Sequence, residues 1–418
     1  MNDFEVIARK GKEAAFRLNL LTIDKKNSFL NRLVVLLRSN AKNILGANKL
    51  DIEKAKEYRL SNALIDRLSL TEERIESMAK GVEQIAKLPD PTGKILDEYL
   101  RGDGLLIKKV SVPIGLVGIF YESRPNVTID CAVLCLKSGN ACLLKGGKEA
   151  HYSNKALIVL IKKALEEEGI DPHAIQLVST SDRNELKALL RCNDFIDCII
   201  PRGGEGLIKF ISENTSIPVV KHYKGVCNIY VDAEADINMA QSILINAKCQ
   251  RPGVCNAVEN LILDKALGQS KINSILEVIY KQGVELRVDA SLDAMLVGAK
   301  ISTRVAHEDD FYQEYLAPIL AVCCVDGLEG AINAINKYGS GHSEAIITSN
   351  QQTAEKFLKA IDAAAVYWNA STRFTDGYEF GLGAEIGIST DRIHARGPMG
   401  INELCTYKYL IWGQGHTR

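Results

Sequence analysis

Two short segments of the sequence bring together residue types that catalysis and ligand binding use. The first is Cys249-Gln250-Arg251-Pro252-Gly253-Val254-Cys255-Asn256-Ala257. Its proline and glycine make it a loop between a helix and a strand, and loops on rigid scaffolds often carry reactive groups. A thiol attacks as its thiolate, and Arg251, four residues before Cys255, favours that form over a thiol of pKa ~8.5. Cys255 is therefore a candidate nucleophile. Cys249, partly helical by position, is its rival, and an inert loop thiol is the plain alternative. Most of the remaining cysteines lie in apolar or helical settings, where a buried, unreactive thiol is the default.

The second segment is Lys145-Gly146-Gly147-Lys148, where a strand over 141–146 runs into a helix. Two glycines let a backbone approach a ligand closely, a helix N-terminus favours anions, and two lysines suit a phosphorylated ribose. A strand-end turn with solvated lysines fits the same residues. No G-x-G-x-x-G occurs, since GLGAEIG (381–387) misses by one residue, and Glu149 after Gly147-Lys148 excludes a Walker sequence. Pro201-Arg202-Gly203-Gly204-Glu205-Gly206 occupies the same topological place two strand–helix units later and is a second candidate cradle.

These segments need a scaffold, and the hydrophobic pattern supplies one. Apolar residues recur at helical spacing over Phe4–Ala47, and 48–64 and 71–87 continue the pattern. Pro89-Asp90-Pro91 ends the helical region. A strand follows over Leu105–Val110. Short apolar runs at 114–121, 141–146, 174–179, 195–201 and 217–221 then alternate with helical segments at 126–138, 149–168, 182–191 and 203–213. A second set has strands near 227–232, 258–263, 284–288, 316–325, 344–348 and 363–368. Its helices lie at 235–248, 265–282, 327–337 and 350–361, and a last strand spans 405–413. Strand–helix alternation of this kind predicts an α/β protein with parallel sheets covered by helices on both faces, whose ligands sit at the carboxyl ends of the strands.

Bulk properties narrow the class. The 418 residues include 51 Lys+Arg against 52 Asp+Glu, a net charge of −1, so electrostatics gives no reason to expect nucleic acid or an anionic membrane. The longest stretch without charge, Val110–Tyr121, has twelve residues, short of the roughly 17–25 that span a bilayer. The N-terminus has acidic residues and no apolar core, unlike a secretory signal. Eleven cysteines with no C-x-x-C fit neither a disulfide framework nor a zinc knuckle. A reducing cytoplasm with free thiols and no metal is the expectation.

The loop at Cys255, the Arg124-Pro125-Asn126 turn and LLKGGKEA (143–150) together resemble the aldehyde dehydrogenase superfamily. VPIGLVGIFYESRPNVT, LKSGNACLLKGGKEA, CQRPGVCNA, YGSGHSEAI and HARGPMGINELCTYKYLIWG are similar to its acyl-phosphate-reducing branch, in order, from about Ala8 to Gly413. Ala334 departs from that pattern, which usually has histidine there. The resemblance implies two doubly wound α/β domains plus a small β oligomerisation flap. Residues 1–100 and 113–225 would bind cofactor, 226–400 would carry catalysis, and 101–112 with 401–418 would form the flap of a homo-oligomer, a dimer or tetramer.

The implied reaction is NADPH-dependent reduction of L-glutamate 5-phosphate to L-glutamate 5-semialdehyde and phosphate, the second step of proline biosynthesis from glutamate. Cys255 would form a thioester. Asn126 would be the side-chain oxyanion donor, with the Cys255 backbone N–H as the second; read without the resemblance, Asn126 is equally a helix N-cap. Lys145 would reach the adenosine ribose, with Gly146, Gly147, Gly203 and Gly204 lining the cofactor. Lys148 stands where NAD-preferring relatives place a ribose-binding Glu, which favours NADPH. Glu314 would bind the nicotinamide ribose. Lys221 takes the place of the Glu with which hydrolytic relatives activate water. Lys221 and His222 could attract phosphate, and Arg124, Arg202 and Arg251 are further candidates for phosphate or the substrate carboxylate. A glutamate 5-kinase would be a separate partner. A coenzyme A-dependent acylating aldehyde dehydrogenase is the alternative enzyme.

Overall fold

Helix formation begins with sequence-local signals. The computed structural model describes residues 3–179, 182–221, 224–296 and 300–418. Five helices open the chain: α1 (Asp3–Leu18), α2 (Ile23–Ser39), α3 (Ala41–Glu57), α4 (Asn62–Leu68) and α5 (Glu72–Lys87). Thr22, Ser61 and Thr71 cap α2, α4 and α5 by accepting backbone N–H groups. The apolar run expected as one helical pattern over Phe4–Ala47 is thus broken at residues 19–22, where the Thr22 side chain caps the next helix, and at Asn40, whose amide donates back to the Leu36 carbonyl of α2. The apolar faces close on one another through Phe29, Leu30, Leu33 and Leu37 of α2 and Ile75, Val82 and Ile85 of α5, all buried. Leu88 is extended (ψ 146°), as a residue before proline must be. The Pro89–Pro91 corner is fixed by Lys26, whose buried ammonium donates to both Asp90 oxygens (3.1 and 3.0 Å) and to Thr92 Oγ1 (3.2 Å).

Strands β1 (Ile95–Leu100) and β2 (Leu106–Pro113) follow, then β3 (Leu116–Tyr121), α6 (Asn126–Lys137), β4 (Ala141–Gly146), α7 (His151–Glu167), β5 (Ile175–Leu177), α8 (Arg183–Leu189), β6 (Cys198–Arg202) and α9 (Glu205–Asn214). β3–β6 form a four-stranded parallel sheet in the order β5-β4-β3-β6. The run 217–221 expected as a strand makes one bridge, Ile199 to Val219, beside β6. β1 escaped the sequence reading because all six of its residues are exposed and no alternation marks a buried face.

The chain divides into two compact units, Met1–Lys221 with Gly381–Gly387 and Pro398–Arg418, and His222–Phe380 with Ile388–Gly397. The second unit contains β7 (Cys227–Val231), α10 (Ile237–Cys249), β8 (Val258–Asp264), α11 (Gly268–Lys281), β9 (Glu285–Val288), α12 (Ala290–Met295), β10 (Thr303–Val305), β11 (Ile319–Val325), α13 (Gly327–Tyr338), β12 (Ser343–Ile347), α14 (Gln351–Ala360) and β13 (Ala365–Trp368). Its seven strands run in the order β10-β9-β11-β8-β7-β12-β13, all parallel. Central strands β7 and β8 are buried along their whole length, as a parallel sheet covered on both faces requires. Short strands β14 (Gly387–Ser389) and β15 (Gly397–Met399) pair with each other. The last strand, β16 (Cys405–Trp412), lies antiparallel to β2 and completes the sheet β1-β2-β16. The α/β class with parallel sheets and a separate small β element is therefore as expected. Among the described residues no helix is long and apolar enough to cross a membrane.

Lys26→Met tests the corner. It removes the ammonium that neutralises Asp90, and losing one partner of a buried ion pair costs about 3 kcal/mol. A lower urea midpoint is expected, and an unchanged midpoint would show that the pair contributes nothing.

Candidate active site

In the first unit the order β5-β4-β3-β6 makes the chain leave β3 in opposite directions, which opens a crevice at the carboxyl ends. Register makes those ends level, with Tyr121 paired to Gly146 on one side and to Arg202 on the other. Residues 122–125, 146–148 and 202–204 meet there. Ser123 adopts a left-handed backbone (φ 44°) and is held by Glu149 Oε1, which accepts from its N–H (2.6 Å) and its Oγ (2.9 Å). This kink delivers Arg124 and Pro125 to the start of α6.

Asn126 is the first residue of α6, and Pro125 occupies the cap position. The N-cap alternative for Asn126 therefore does not hold. Its Nδ2 instead donates to Asp130 Oδ2 one turn later (2.9 Å), leaving the second N–H of the amide for another acceptor. Asp130 is half-buried, and desolvation pushes its carboxyl up to about 6 against the opposing Asn126 bond and the Arg202 charge, with Glu385 adding to the rise. Arg202 lies 3.7 Å from Glu385. Asn126, Asp130, Arg202 and Glu385 thus form one polar cluster, of which the sequence reading had two members. Asp130 was legible as the i+4 neighbour of Asn126 on one helix face.

The glycine turns differ from expectation in detail. A 3₁₀ turn, Lys148–Ala150, precedes α7, so the helix begins at His151 and not at Glu149. Lys148 is exposed and Lys145 half-buried. Burial lowers the Lys145 pKa, opposed by the nearby charges of Glu149 and Glu122. The Gly204 N–H, expected to face a phosphate, donates to Glu122 Oε2 (2.9 Å). Carboxylates therefore border the glycines beside the lysine. Carboxylates accept from ribose hydroxyls and an ammonium binds phosphate oxygens, so this donor set fits a dinucleotide. Lys221 donates to Ser212 Oγ (3.4 Å). His222 lies outside the described residues.

In the second unit the cysteine loop sits at the amino ends of β7, β8 and β12, the opposite end from the general rule for such sheets. Cys227 pairs with Val258 and Asn228 with Glu344, which brings residues 225–227, 255–257 and 342–344 together. Ala257 N–H donates to the Val254 carbonyl (3.1 Å), so Cys255 and Asn256 are the central residues of a hydrogen-bonded turn. Cys255 is half-buried. Gly225 makes this geometry possible: a Cβ there would lie 2.1 Å from the Cys255 carbonyl oxygen.

Asn256 is buried and donates to the carbonyls of Thr375 (2.9 Å) and Arg373 (3.3 Å). Arg373 in turn donates to Asn256 Oδ1 and to Gln250 Oε1 (3.2 Å). Burial lowers the Arg373 pKa; among nearby charges, Asp376 and Cys255 oppose the fall and Arg251 adds to it. The loop is thus electropositive through Arg373 as well as the exposed Arg251. The sequence reading missed Arg373, whose only signal was a polar Ser-Thr-Arg-Phe-Thr run after the last strand of the sheet. Cys249 ends α10, and burial raises its thiol pKa, which argues against it as the nucleophile. Glu314 is half-buried in the segment before β11; burial pushes the Glu259 carboxyl up to about 7 against the pull of Lys248, and the nearby Glu314 charge contributes to that rise.

The model of the aldehyde dehydrogenase family matches this chain over residues 2–308 and 268–403. The chain is 50% identical over 414 residues to the γ-glutamyl phosphate reductase of Opitutus terrae, covering 99% of this chain and 97% of that one. The crystal structure of γ-glutamyl phosphate reductase from Thermotoga maritima superposes with a TM-score of 0.96 at 44% identity, covering all of both chains. An acetylating aldehyde dehydrogenase from Geobacillus thermoglucosidasius shares the fold, with a TM-score of 0.71 at 17% identity, covering 100% of this chain and 97% of that one.

Asp130 gives the cluster a pH signature. Its folded pKa of about 6 lies above the ordinary 3.8, so the folded state holds a proton that the unfolded chain releases earlier. Stability from this group is present below about pH 4 and is lost as pH rises through about 6. Asp130→Asn removes that loss, so its melting temperature should gain on the wild type between pH 4 and pH 7. A difference independent of pH would contradict the assignment.

Proposed function

The chain belongs to the aldehyde dehydrogenase family, and we propose that it reduces L-glutamate 5-phosphate to L-glutamate 5-semialdehyde and phosphate through a thioester on Cys255, with NADPH as reductant. One observation carries the reading. Cys255 sits half-buried on a turn beside Arg251 and Arg373, in a chain half identical over nearly its whole length to a γ-glutamyl phosphate reductase.

The Cys255 thiolate attacks the acyl carbon, the bond from that carbon to the phosphate oxygen breaks, and phosphate leaves with the electron pair. Arg251 and Arg373 favour the thiolate and receive the departing anion. The nicotinamide, when bound, supplies hydride to the thioester carbonyl. The carbon–sulfur bond then breaks, which returns the thiolate and frees the aldehyde. Asn126 and the Cys255 backbone N–H are the oxyanion donors, each worth about 3 kcal/mol in comparable sites. A lysine at 221 offers no carboxylate to activate water, which protects the thioester for exchange with phosphate.

For the cofactor, Lys145, Gly146, Gly147, Gly203 and Gly204 would line the adenosine side, Lys148 would meet the 2′-phosphate, and Glu314 would hold the nicotinamide ribose. Residues 1–100 and 113–225 serve the cofactor and 226–400 the chemistry. Residues 101–112 and 401–418 join subunits of a homo-oligomer, a role supported by the exposed Tyr407, Tyr409, Ile411 and Trp412 on strand β16. The enzyme acts in the cytoplasm on acyl phosphate supplied by a glutamate 5-kinase.

Reduction of NADP⁺ by L-glutamate 5-semialdehyde that depends on added inorganic phosphate tests the activity. Dependence on coenzyme A in its place would favour the other acylating branch. Cys255→Ala should abolish turnover while leaving NADPH affinity within a few-fold, and substantial residual turnover would place the nucleophile elsewhere. Lys148→Glu should shift the NADPH/NADH ratio of kcat/KM about tenfold towards NADH, equivalent to about 1.4 kcal/mol. An unchanged ratio would remove Lys148 from the cofactor site.

A further inference from the structure

We propose that Cys227 is a positioning residue: its thiol holds the peptide of Cys255 and so aims the nucleophile. The inference rests on the assignment of Cys255 made above. Cys227 Sγ lies 3.2 Å from the Cys255 carbonyl oxygen and donates to it. Cys227 is fully buried at the start of β7, and burial raises its pKa well above that of a free thiol, so it stays an S–H donor at neutral pH. It is no competing nucleophile.

The sulfur is itself held from behind. His342 Nδ1 lies 3.6 Å from it and 2.8 Å from Ser343 Oγ. Ser343 Oγ meets Thr375 Oγ1 at 2.6 Å, and Tyr367 OH meets the same hydroxyl at 2.7 Å. The chain of contacts then returns to the turn, because the Thr375 carbonyl accepts from Asn256 Nδ2. Thr372 Oγ1 donates to the Asn256 carbonyl at 2.8 Å.

Three consecutive carbonyls are therefore engaged: that of Val254 by Ala257 N–H, that of Cys255 by Cys227, and that of Asn256 by Thr372. A peptide whose carbonyl is bonded cannot rotate without breaking that bond. The direction of the Cys255 Cα–Cβ bond is fixed with it. Of the three donors only Cys227 bonds the carbonyl of Cys255 itself, and the absence of a side chain at Gly225 lets its strand approach.

The test compares three variants in the phosphate-dependent reverse reaction. Cys227→Val fills the same space without a donor, Cys227→Ala removes the donor and some volume, and Cys227→Ser keeps a donor. A misplacement of about 1 Å costs on the order of 100-fold. Val and Ala are therefore expected to lower kcat about 10- to 100-fold with KM for phosphate and semialdehyde within about 3-fold, and Ser to restore kcat to within about 3-fold of wild type. A merely structural role would not produce rescue by Ser together with an unchanged KM. If Cys227→Val fails to fold, Cys227→Ala carries the comparison. The proposal is overturned if the donor-less variant that folds keeps half or more of the wild-type kcat, or if Ser is as impaired as that variant. Iodoacetamide labelling of the wild type, mapped by peptide mass, separates this failure from that of the underlying assignment. An adduct on Cys255 upholds the assignment whatever the variants do, and an adduct elsewhere overturns both.

Discussion

The sulfur proposed as nucleophile must be exposed enough to meet substrate and still be held by its backbone, and the turn at Cys255 reconciles the two. Exposure comes from the turn itself, which lifts Cys255 between α10 and β8. Direction comes from behind, where the turn's carbonyls are bonded to protein groups in the place of water. Buried carbonyls must find donors, since leaving one unpaired costs about 1–3 kcal/mol. That requirement recruits a thiol, a hydroxyl and a backbone N–H to one short segment.

The parallel sheet behind the turn explains why the donors are available. β7, β8 and β12 start level with one another, so residues just before each strand converge even though they are separated by 28 to 116 positions in the chain. The first unit uses the other end of its sheet, where β3, β4 and β6 finish level and glycine-bearing turns meet. Both arrangements follow from register in parallel strands. Which end is used depends on where the loop residues carry chemistry.

Buried charge lies close behind the cysteine loop. Lys248 and Glu259 are fully buried and paired at 2.5 Å. Burial lowers the lysine pKa and raises that of the glutamate, so desolvation opposes both charges while the contact favours them. Such a pair adds little net stability compared with apolar packing. Its position is informative: Lys248 precedes Cys249 at the end of α10 and Glu259 is the second residue of β8, so the pair ties together the two elements that flank the loop. Glu259 also accepts from the Leu316 N–H (3.4 Å), which links this support to the segment before β11.

Periodicity and breakers determined the α/β class, the alternation of strands and helices, and the end of the helical region at Pro89–Pro91, because each depends on contacts between near neighbours in the chain. The same local chemistry marked Cys255 as a loop thiol and placed glycines at strand ends. The exposed strand β1 was hidden, since it carries no buried face, whereas the apolar run at 217–221 read as a strand and makes only the bridge at Val219. The pairing of Asn126 with Asp130 follows from helix phase, while the carboxylates around the glycine turns, Arg373 beside the proposed nucleophile and Cys227 beneath it were decided only by the tertiary structure. Those contacts join residues that sheet register or helix phase brings within hydrogen-bond distance. For the long-range ones, no local pattern in the sequence records which partner a buried polar group will find.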